Sequence, residues 1–335
     1  MARYDFASDN TAGAMPEALD ALVRFNGGFE AGYGADGVSR RAADLIRTLL
    51  DADAEVWFTA SGTAANALAA AALVRPHEAL AAHEAAHVAT DETGAPALFG
   101  AGLGIVAVQG ASARIDPDAL AQVLAEPDHP HAQHAAAVSL TQASEYGTIY
   151  SAEALARLAA IARAAGAPLH LDGARLANAA AAGFDVKAIT RAGVAIAVVG
   201  GTKAGSTPTE ALVLLDKSLE RRFGARLKHA GQLVSKARFL AAPWIGMLES
   251  GAWIERARHA NAMATRLAAV MPFALRHPVE ANGVFVDMDE AAHARLTAAG
   301  WASYRVLDGS VRFMCSWATT SEAVDELAAA LRSIA

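Results

Sequence analysis

The sequence contains a single cysteine, Cys315, so no disulfide can form within the chain, and this favours a reducing compartment. It also lacks any run of about eighteen uncharged apolar residues, so no transmembrane helix is expected. The first residues have neither the apolar stretch nor the cleavage pattern of a secretion signal. The net charge is −7, and no basic block offsets it to bind nucleic acid. We therefore expect a cytoplasmic protein that binds neither membranes nor nucleic acid.

Most of the chain alternates short apolar runs with helical patterns, which is typical of a parallel sheet covered by helices. The predicted strands are 56–59, 105–108, 138–141, 168–172 and 194–199, and the predicted helices include 63–73 and 151–165, the latter with Ser151 as its N-cap. After about residue 235 the pattern changes to a strand at 283–288, a hairpin around Asp308-Gly309-Ser310, and a last helix capped by Thr319. A chain of 335 residues is long enough for two cores. We predict an α/β domain over 1–240 and a small α+β domain over 241–335.

Three chemically distinctive features follow predicted parallel strands, at the sheet edge where such folds bind ligands. Ser61, Gly62 and Thr63 stand where a strand turns into a helix, and the amide groups of a helix N-terminus suit a phosphate. Asp172 ends a second strand, where a carboxylate could keep a pyridine nitrogen protonated. Lys203 follows two glycines after a third strand, where its amine could bond to an aldehyde. Each feature alone is common, but their ordered combination favours pyridoxal 5′-phosphate (PLP) chemistry.

Short polar or glycine-containing segments extend this pattern over nearly the whole chain, at 8–10, 33–34, 61–66, 91–95, 140–145, 170–175, 200–203, 230–233, 242–244 and 312–317. Together they resemble the low-specificity L-threonine aldolase family. The resemblance implies a fold-type I PLP-dependent enzyme, with a mostly parallel sheet in the large domain. It also implies retro-aldol cleavage of L-threonine, L-allo-threonine and related β-hydroxy-α-amino acids to glycine and an aldehyde.

The resemblance further implies roles for individual residues. Lys203 resembles the lysine that carries the cofactor, Asp172 the partner of its ring nitrogen, and His87 the histidine stacked on the ring. The remaining assignments are Ser61, Gly62, Thr63 and Arg175 for cofactor binding, and Ser8, Arg175, Arg312 and Tyr33 for substrate binding.

The sequence does not decide whether His87, His131, His134 or a water molecule is the base that acts on the β-hydroxyl group, although His131 matches the spacing of a second histidine in the family. It also does not decide whether the enzyme prefers L-threonine or L-allo-threonine. Family analogy implies a homodimer or homotetramer in which Tyr33 and Lys228 reach a neighbouring site. Within the same fold, a β-eliminating lyase and an aminotransferase are the alternative activities.

A zinc hydrolase is the alternative from a different class, because His83, Glu84 and His87 match the His-Glu-x-x-His pattern. On one helix the two histidines would share a face and could bind zinc. The extended motif fails, since Thr90 and Thr93 stand where glycine and a third histidine belong. We therefore expect no metal.

Overall fold

The computed structural model describes residues 2–127 and 129–335. Within them the chain forms ten strands, which lie in a seven-stranded and a three-stranded sheet. Their bounds are β1 Glu55–Thr59, β2 Glu78–His83, β3 Gly104–Val108, β4 His134–Thr141, β5 Leu169–Gly173, β6 Ile196–Gly200, β7 Glu210–Leu214, β8 Gly283–Val286, β9 Tyr304–Arg305 and β10 Val311–Met314.

Fourteen α-helices connect and cover these strands within the same residues. Their bounds are α1 Pro16–Arg24, α2 Gly37–Leu50, α3 Gly62–Leu73, α4 His87–Thr90, α5 Ala95–Phe99, α6 Pro117–Ala125, α7 Ala152–Ala164, α8 Leu176–Ala181, α9 Ala188–Ala192, α10 Phe223–His229, α11 Arg238–Glu249, α12 Ala252–Ala269, α13 Glu290–Ala298 and α14 Ser321–Ile334. No helix among the described residues is long and apolar enough to cross a membrane.

The large sheet has the strand order β1-β7-β6-β5-β4-β2-β3, and within it only β7 runs against its neighbours. Successive side chains of a strand point to opposite faces. In β6, accordingly, Ala197 and Val199 join the core shared with α2, α7 and α8, while Ile196 and Val198 pack against α3 on the other face. The sheet is buried on both sides, as an α/β fold requires, and the predicted fold class is confirmed.

The three-stranded antiparallel sheet has the order β8-β10-β9 and a separate core. Val284, Phe313 and Leu327 are buried there, together with Phe6 from the N-terminal segment. The hairpin predicted around Asp308 is present, because Arg312 pairs with Tyr304 across it. The division at residue 241 stays a prediction, and it falls inside α11, whose buried residues pack with the larger core.

Two local predictions need correction. The last helix begins one residue later than its sequence pattern predicts: Thr320 Oγ1 accepts the Ala323 amide, while Thr319 Oγ1 accepts the Ser316 amide. Strand β4 begins at His134 rather than at 138, because its first residues pair with β2 beside Glu78 and Ala79. The second correction matters for the active-site histidines.

Candidate active site

A cavity of about 580 Å³ opens at the carboxyl ends of β2, β4, β5 and β6. Its wall comes from residues after those strands and from the β9–β10 hairpin. Of the residues predicted for the site, the structure brings five together around it: His87, Asp172, Arg175, Lys203 and Arg312. Two of the three strand-end features, Asp172 and Lys203, therefore meet in this cavity, as their order predicts.

Lys203 is held in a tight turn directly after β6. A Cβ atom at Gly200 would lie 2.3 Å from the carbonyl oxygen of Ala174, and one at Gly201 would lie 2.5 Å from that of Thr209, so both positions require glycine. Burial, with the Arg175 charge, lowers the pKa of the Lys203 amine. Lysine can bond to an aldehyde only in its neutral form, and both influences favour that form.

Asp172 is a buried carboxylate on β5. Its Oδ2 accepts a hydrogen bond from Asn66 Nδ2 at 2.8 Å, and its Oδ1 accepts one from the Ala174 amide at 2.9 Å. Burial alone would raise its pKa, but the charge of Lys203 and these hydrogen bonds outweigh burial and keep the pKa below its usual value. The group therefore stays anionic, and a carboxylate has lone pairs left for one more donor.

The histidine beside Asp172 is joined to it by two residues that no motif had assigned to the site. Asn66 Nδ2 also donates to Glu92 Oε1 at 2.8 Å, and His87 Nδ1 lies 2.9 Å from the same oxygen. The Glu92 hydrogen bond raises the pKa of His87. Asn66 and Glu92 lie within segments 61–66 and 91–95, which carry the family resemblance, yet only the fold reveals that they meet. This chain of contacts fixes the plane of the His87 ring.

Arg175 is engaged by an acidic partner that sequence reasoning also missed. Its Nε donates to Asp9 Oδ2 at 2.7 Å, and its Nη2 donates to Asp9 Oδ1 at 3.0 Å. The side-chain amide of Asn282 also donates to Asp9 Oδ2. Burial opposes ionisation of Asp9, but the charges of Arg175 and Lys203 lower its pKa to about 2. One edge of the guanidinium is therefore occupied, and Arg175 presents only its other edge to the cavity.

Ser8 does not line this cavity. Its Oγ accepts the Asn10 amide at 3.2 Å and contacts Asp9 at 3.5 Å, so the side chain caps a turn beside the Asp9–Arg175 pair. The structure thus gives Ser8 a supporting position, and its predicted contact with the substrate remains a proposal.

Arg312 has more guanidinium donors without a partner than Arg175 among the described residues. Its Nη2 donates to the Ala7 carbonyl oxygen at 3.3 Å, while its buried Nε has no partner among the described residues. Burial and the nearby Arg175 charge lower its pKa. Two guanidinium groups that line the same cavity, with donors still free, form a site for an anion such as a carboxylate.

Ser61, Gly62 and Thr63 form the N-terminus of α3, outside the lining of the cavity. Ser61 Oγ accepts the Ala64 amide at 3.2 Å, and a Cβ atom on Gly62 would meet nothing within 4 Å. Asn66, one turn further along α3, reaches Asp172, so this helix end points toward the same region. A phosphate could approach its free amide groups.

His131 and His134 do not line the cavity of their own chain, and the role of either one as the base stays a prediction. His131 is exposed and precedes β4, whereas the cavity lies at the other end of that strand, beside Thr141. A strand of this length spans roughly 20 Å or more. His134, at the first position of β4, is equally distant. Because β4 already starts at His134, most of the residues between His131 and Ser139 belong to the strand, and His131 therefore lies at its amino end.

Tyr33 also lies outside the cavity that contains Lys203. It borders a second cavity of about 310 Å³, and the ammonium group of Lys228 sits 4.7 Å from the centre of its ring. Within one chain neither side chain reaches the site, so their predicted role in a neighbouring site remains a proposal.

The zinc interpretation loses its structural basis. His83 ends a strand and His87 begins a separate helix, so they do not share a helix face. Both His83 nitrogens have partners, since Nε2 lies 3.0 Å from the Gly110 carbonyl oxygen and Nδ1 accepts the Ala85 amide at 3.1 Å. No group of three potential metal ligands occurs among the described residues.

Glu145 is a further acidic residue in the cavity wall. Its Oε1 accepts the His87 amide at 2.9 Å and the Thr141 hydroxyl at 2.8 Å, and its buried Oε2 has no partner among the described residues. Burial and the charge of Asp172 raise the pKa of Glu145 to about 7. The segment 140–145 marked this region in the sequence, but only burial explains the altered ionisation.

We expect Glu145→Gln to stabilise the protein at high pH. Folding raises the pKa of this carboxyl group from 4.5 to about 7, so the folded protein tolerates only its protonated form well. The free energy of unfolding therefore decreases as the pH rises from 4.5 to about 7. Glutamine keeps the neutral form. The melting temperature of the variant should match the wild type near pH 4 and exceed it by a few degrees at pH 8. The exposed Glu126→Gln is the control, and an equal shift at both pH values would contradict the reasoning.

These residues fit PLP. The lysine is buried with an amine whose pKa is lowered, the acid stays anionic, and a hydrogen bond to Glu92 orients the histidine. Two guanidinium groups in the lining suit a carboxylate, and the N-terminus of α3, just outside the lining, suits a phosphate. The cavity volume of about 580 Å³ falls within the usual range for cofactor sites.

Comparisons with known proteins agree with this site. A family model described as "Beta-eliminating lyase" matches residues 5–291. The low-specificity L-threonine aldolase of Pseudomonas sp. (strain NCIMB 10558) is 41% identical over 336 residues, which cover 98% of this chain and 97% of that protein. The low-specificity L-threonine aldolase of Pseudomonas aeruginosa PAO1 is 42% identical with the same coverage.

Solved structures are similar as well. The threonine aldolase of Leishmania major superposes with a TM-score of 0.92 at 30% identity, covering 99% of this chain and 100% of that one. The N-succinyldiaminopimelate aminotransferase of Mycobacterium tuberculosis has a TM-score of 0.72 at 22% identity, covering 97% and 91%. At that identity the second similarity concerns the fold alone.

Proposed function

The chain belongs to the β-eliminating lyase family and, within it, to the low-specificity L-threonine aldolases, and on that premise we propose the reaction that follows. The protein is a lyase that cleaves L-threonine and L-allo-threonine, and related β-hydroxy-α-amino acids, to glycine and an aldehyde. The observation that carries the proposal is the buried, weakly basic amine of Lys203, which faces the same cavity as Asp172, His87 and Arg312.

The cofactor is PLP, which when bound takes up the electron pair of the Cα–Cβ bond as that bond breaks. Lys203 would hold the cofactor through its amine. Asp172, anionic and oriented by Asn66, would keep the ring nitrogen protonated. His87, oriented by Glu92, would contact the ring. Ser61, Gly62 and Thr63 would hold the phosphate.

Arg312 and the free edge of Arg175 bind the substrate carboxylate, and Ser8 supports them through Asp9. Holding the carboxylate fixes the rotation about the bond from the amine to Cα. By fixing that rotation, the two arginines would determine which bond at Cα is presented for cleavage.

A base must remove the proton of the β-hydroxyl group, after which the aldehyde leaves and a proton returns to Cα to give glycine. His87 lines the cavity of its own chain, and it or an ordered water is the candidate within one chain, whereas His131 or His134 could act only in a neighbouring chain's site. Glu92 occupies Nδ1 of His87, so Nε2 is the nitrogen left to exchange a proton directly or through water.

Product analysis tests the reaction and separates it from the two alternatives. Incubated with L-threonine, the purified holoenzyme should form glycine and acetaldehyde in equal amounts. A β-eliminating lyase would form 2-oxobutyrate and ammonia instead, and an aminotransferase would need an added keto acid. Either of those product patterns, without glycine, would refute the proposal. Parallel assays with L-allo-threonine measure the preference between the diastereomers.

We expect Arg312→Lys to raise the KM for L-threonine about ten- to hundredfold while leaving the cofactor absorption spectrum unchanged. A point charge then replaces a planar fork that can bind two carboxylate oxygens. Steady-state kinetics and a visible spectrum provide the measurement. Arg266→Lys, at an exposed arginine paired with Asp325, is the matched control. Loss of the spectrum together with activity would place Arg312 on the cofactor instead.

The assembly and location are proposals of the same kind. We infer a homodimer or homotetramer in which Tyr33 and Lys228 contribute to a neighbouring chain's site, supported by their position away from their own. The cytoplasmic location rests on the sequence. Light scattering of the purified protein would distinguish the two assemblies.

A further inference from the structure

A cluster of four side chains from distant parts of the sequence joins the large-sheet unit to the small-sheet unit. His277 Nδ1 lies 3.1 Å from Ser112 Oγ, and His277 Nε2 lies 2.7 Å from Asp308 Oδ2. The His277 ring stacks on Tyr146, with 4.4 Å between ring centres and 7° between their planes. Ser112 and Tyr146 follow strands of the large sheet, whereas His277 and Asp308 belong to the smaller unit. We call these four residues the latch.

The latch is well held on the large-sheet side. The carbonyl oxygen of Ser112 accepts hydrogen bonds from the hydroxyl groups of Thr148 at 2.7 Å and Ser144 at 3.2 Å. Ser112 has a φ of 55°, a left-handed conformation that a serine keeps only where its surroundings fix it. Tyr146 also packs edge-on against Phe285 of β8, so its ring contacts the smaller unit at a second point.

On the side of the smaller unit, the latch holds the turn of the β9–β10 hairpin through Asp308. Asp308 lies in its turn, where Oδ1 accepts the amide and the hydroxyl of Ser310 at 2.9 and 2.7 Å while Oδ2 contacts His277. Hydrogen bonds from Ser310 and His277 outweigh the effect of burial and lower the pKa of Asp308. The turn is therefore anchored through both carboxylate oxygens.

This hairpin forms part of the wall of the cavity. Tyr304, Val306 and Leu307 line the cavity, and so does Tyr146 from the latch itself. Arg312, the proposed carboxylate-binding residue, lies on β10 and pairs with Tyr304 across the hairpin. A shift of the hairpin would move the apolar wall and the guanidinium together.

We propose that the latch is a positioning device for substrate: His277, bound to Ser112 and Asp308 and stacked on Tyr146, sets the place of Arg312 and of the apolar wall relative to Lys203. This inference rests on the proposed function, in which Arg312 binds the substrate carboxylate. A Ser–His–Asp order of contacts also occurs in hydrolytic triads. Ser112, however, does not line the cavity that contains Lys203. The contacts therefore serve position rather than nucleophilic catalysis.

The test compares His277→Ala with His293→Ala in the holoenzyme. His293 Nε2 lies 3.0 Å from Ser303 Oγ, a histidine–serine contact within the small unit that does not reach the large one. His277→Ala should raise the KM for L-threonine about tenfold, with kcat changed less than about threefold and the cofactor spectrum unchanged. His293→Ala should leave KM near the wild-type value.

Asp308 supplies a second pair of variants in case His277→Ala folds poorly. Asp308→Ala should repeat the rise in KM, whereas Asp308→Asn, which keeps polar atoms toward both Ser310 and His277, should recover most of it. Hydrogen exchange gives a readout independent of catalysis: amides of 304–314 should exchange faster in His277→Ala and Asp308→Ala than in His293→Ala.

The outcomes separate this inference from the proposed function. If the wild type forms no glycine from L-threonine, the function fails, and hydrogen exchange still decides whether the hairpin is anchored. If the wild type is active, but the His277→Ala and Asp308→Ala variants keep the wild-type KM and exchange rates, the latch does not position the site. Equal effects in Asp308→Asn and Asp308→Ala would also contradict it.

Discussion

Replacing Lys203 with alanine is expected to reduce the rate of threonine cleavage by a factor on the order of 10⁴ or more, and to remove the visible absorption band of the bound cofactor. Lys203 is the lysine whose amine faces the cavity, and burial together with Arg175 keeps that amine weakly basic. Removing a residue that forms a covalent bond in catalysis costs several orders of magnitude in rate. The measurement combines glycine formation with the absorption spectrum of the purified variant.

Lys187→Ala is the matched control, because Lys187 is a surface lysine that lies 4.0 Å from Asp51, far from the cavity lining. It should leave both the rate and the spectrum unchanged. If Lys203→Ala kept a borohydride-reducible cofactor linkage, another lysine would carry the cofactor and the assignment of the site would be wrong.

The second large effect is expected for Asp172→Asn, which should lower kcat about a hundred- to a thousandfold while the protein stays folded. Asparagine has nearly the same shape but no charge, so it no longer favours a protonated ring nitrogen. A hundred- to thousandfold fall in kcat corresponds to about 3–4 kcal/mol of lost transition-state stabilisation, because each 1.4 kcal/mol corresponds to a tenfold change in rate. The amide can still contact Asn66, which limits the structural disturbance.

The control for Asp172→Asn is Asp185→Asn. Asp185 is an exposed carboxylate paired with Arg191 at 2.6 Å, so its loss should not alter kcat. The diagnostic result is a fall in kcat in Asp172→Asn with an unchanged melting temperature. An active Asp172→Asn variant would mean that the ring nitrogen does not depend on this residue.

The sequence predicts those parts of the site that depend on local structure. Asp172 and Lys203 each follow a short apolar strand, and glycines that permit close backbone contact precede Lys203. Because the ends of such strands meet at one edge of the sheet, their order along the chain was enough to bring them together. The helix after Ser61 was predictable for the same reason, since its N-cap is local.

Contacts between distant residues could not be predicted in this way. Asn66 meets Glu92, and Asp9 meets Arg175, through the packing of separate elements, and no spacing in the sequence encodes those distances. The contact between His277 and Ser112 is of the same kind.

The position of His131 outside the cavity of its own chain has a related cause. The spacing of a histidine from a strand end indicates its position only if the start of the strand is known. The first residues of β4 are His134 and three alanines, which have low strand propensity, but they pair with β2 and extend the strand. Tertiary pairing therefore overrode the local pattern.

The most direct test of the account is to reduce the holoenzyme with borohydride and to identify by mass spectrometry which lysine retains the cofactor. The chain offers Lys187, Lys203, Lys217, Lys228 and Lys236. We expect a single modified peptide, containing Lys203, and protection of that lysine from reduction when L-threonine is bound. A cofactor attached to any of the other four lysines, or to none, would contradict the account.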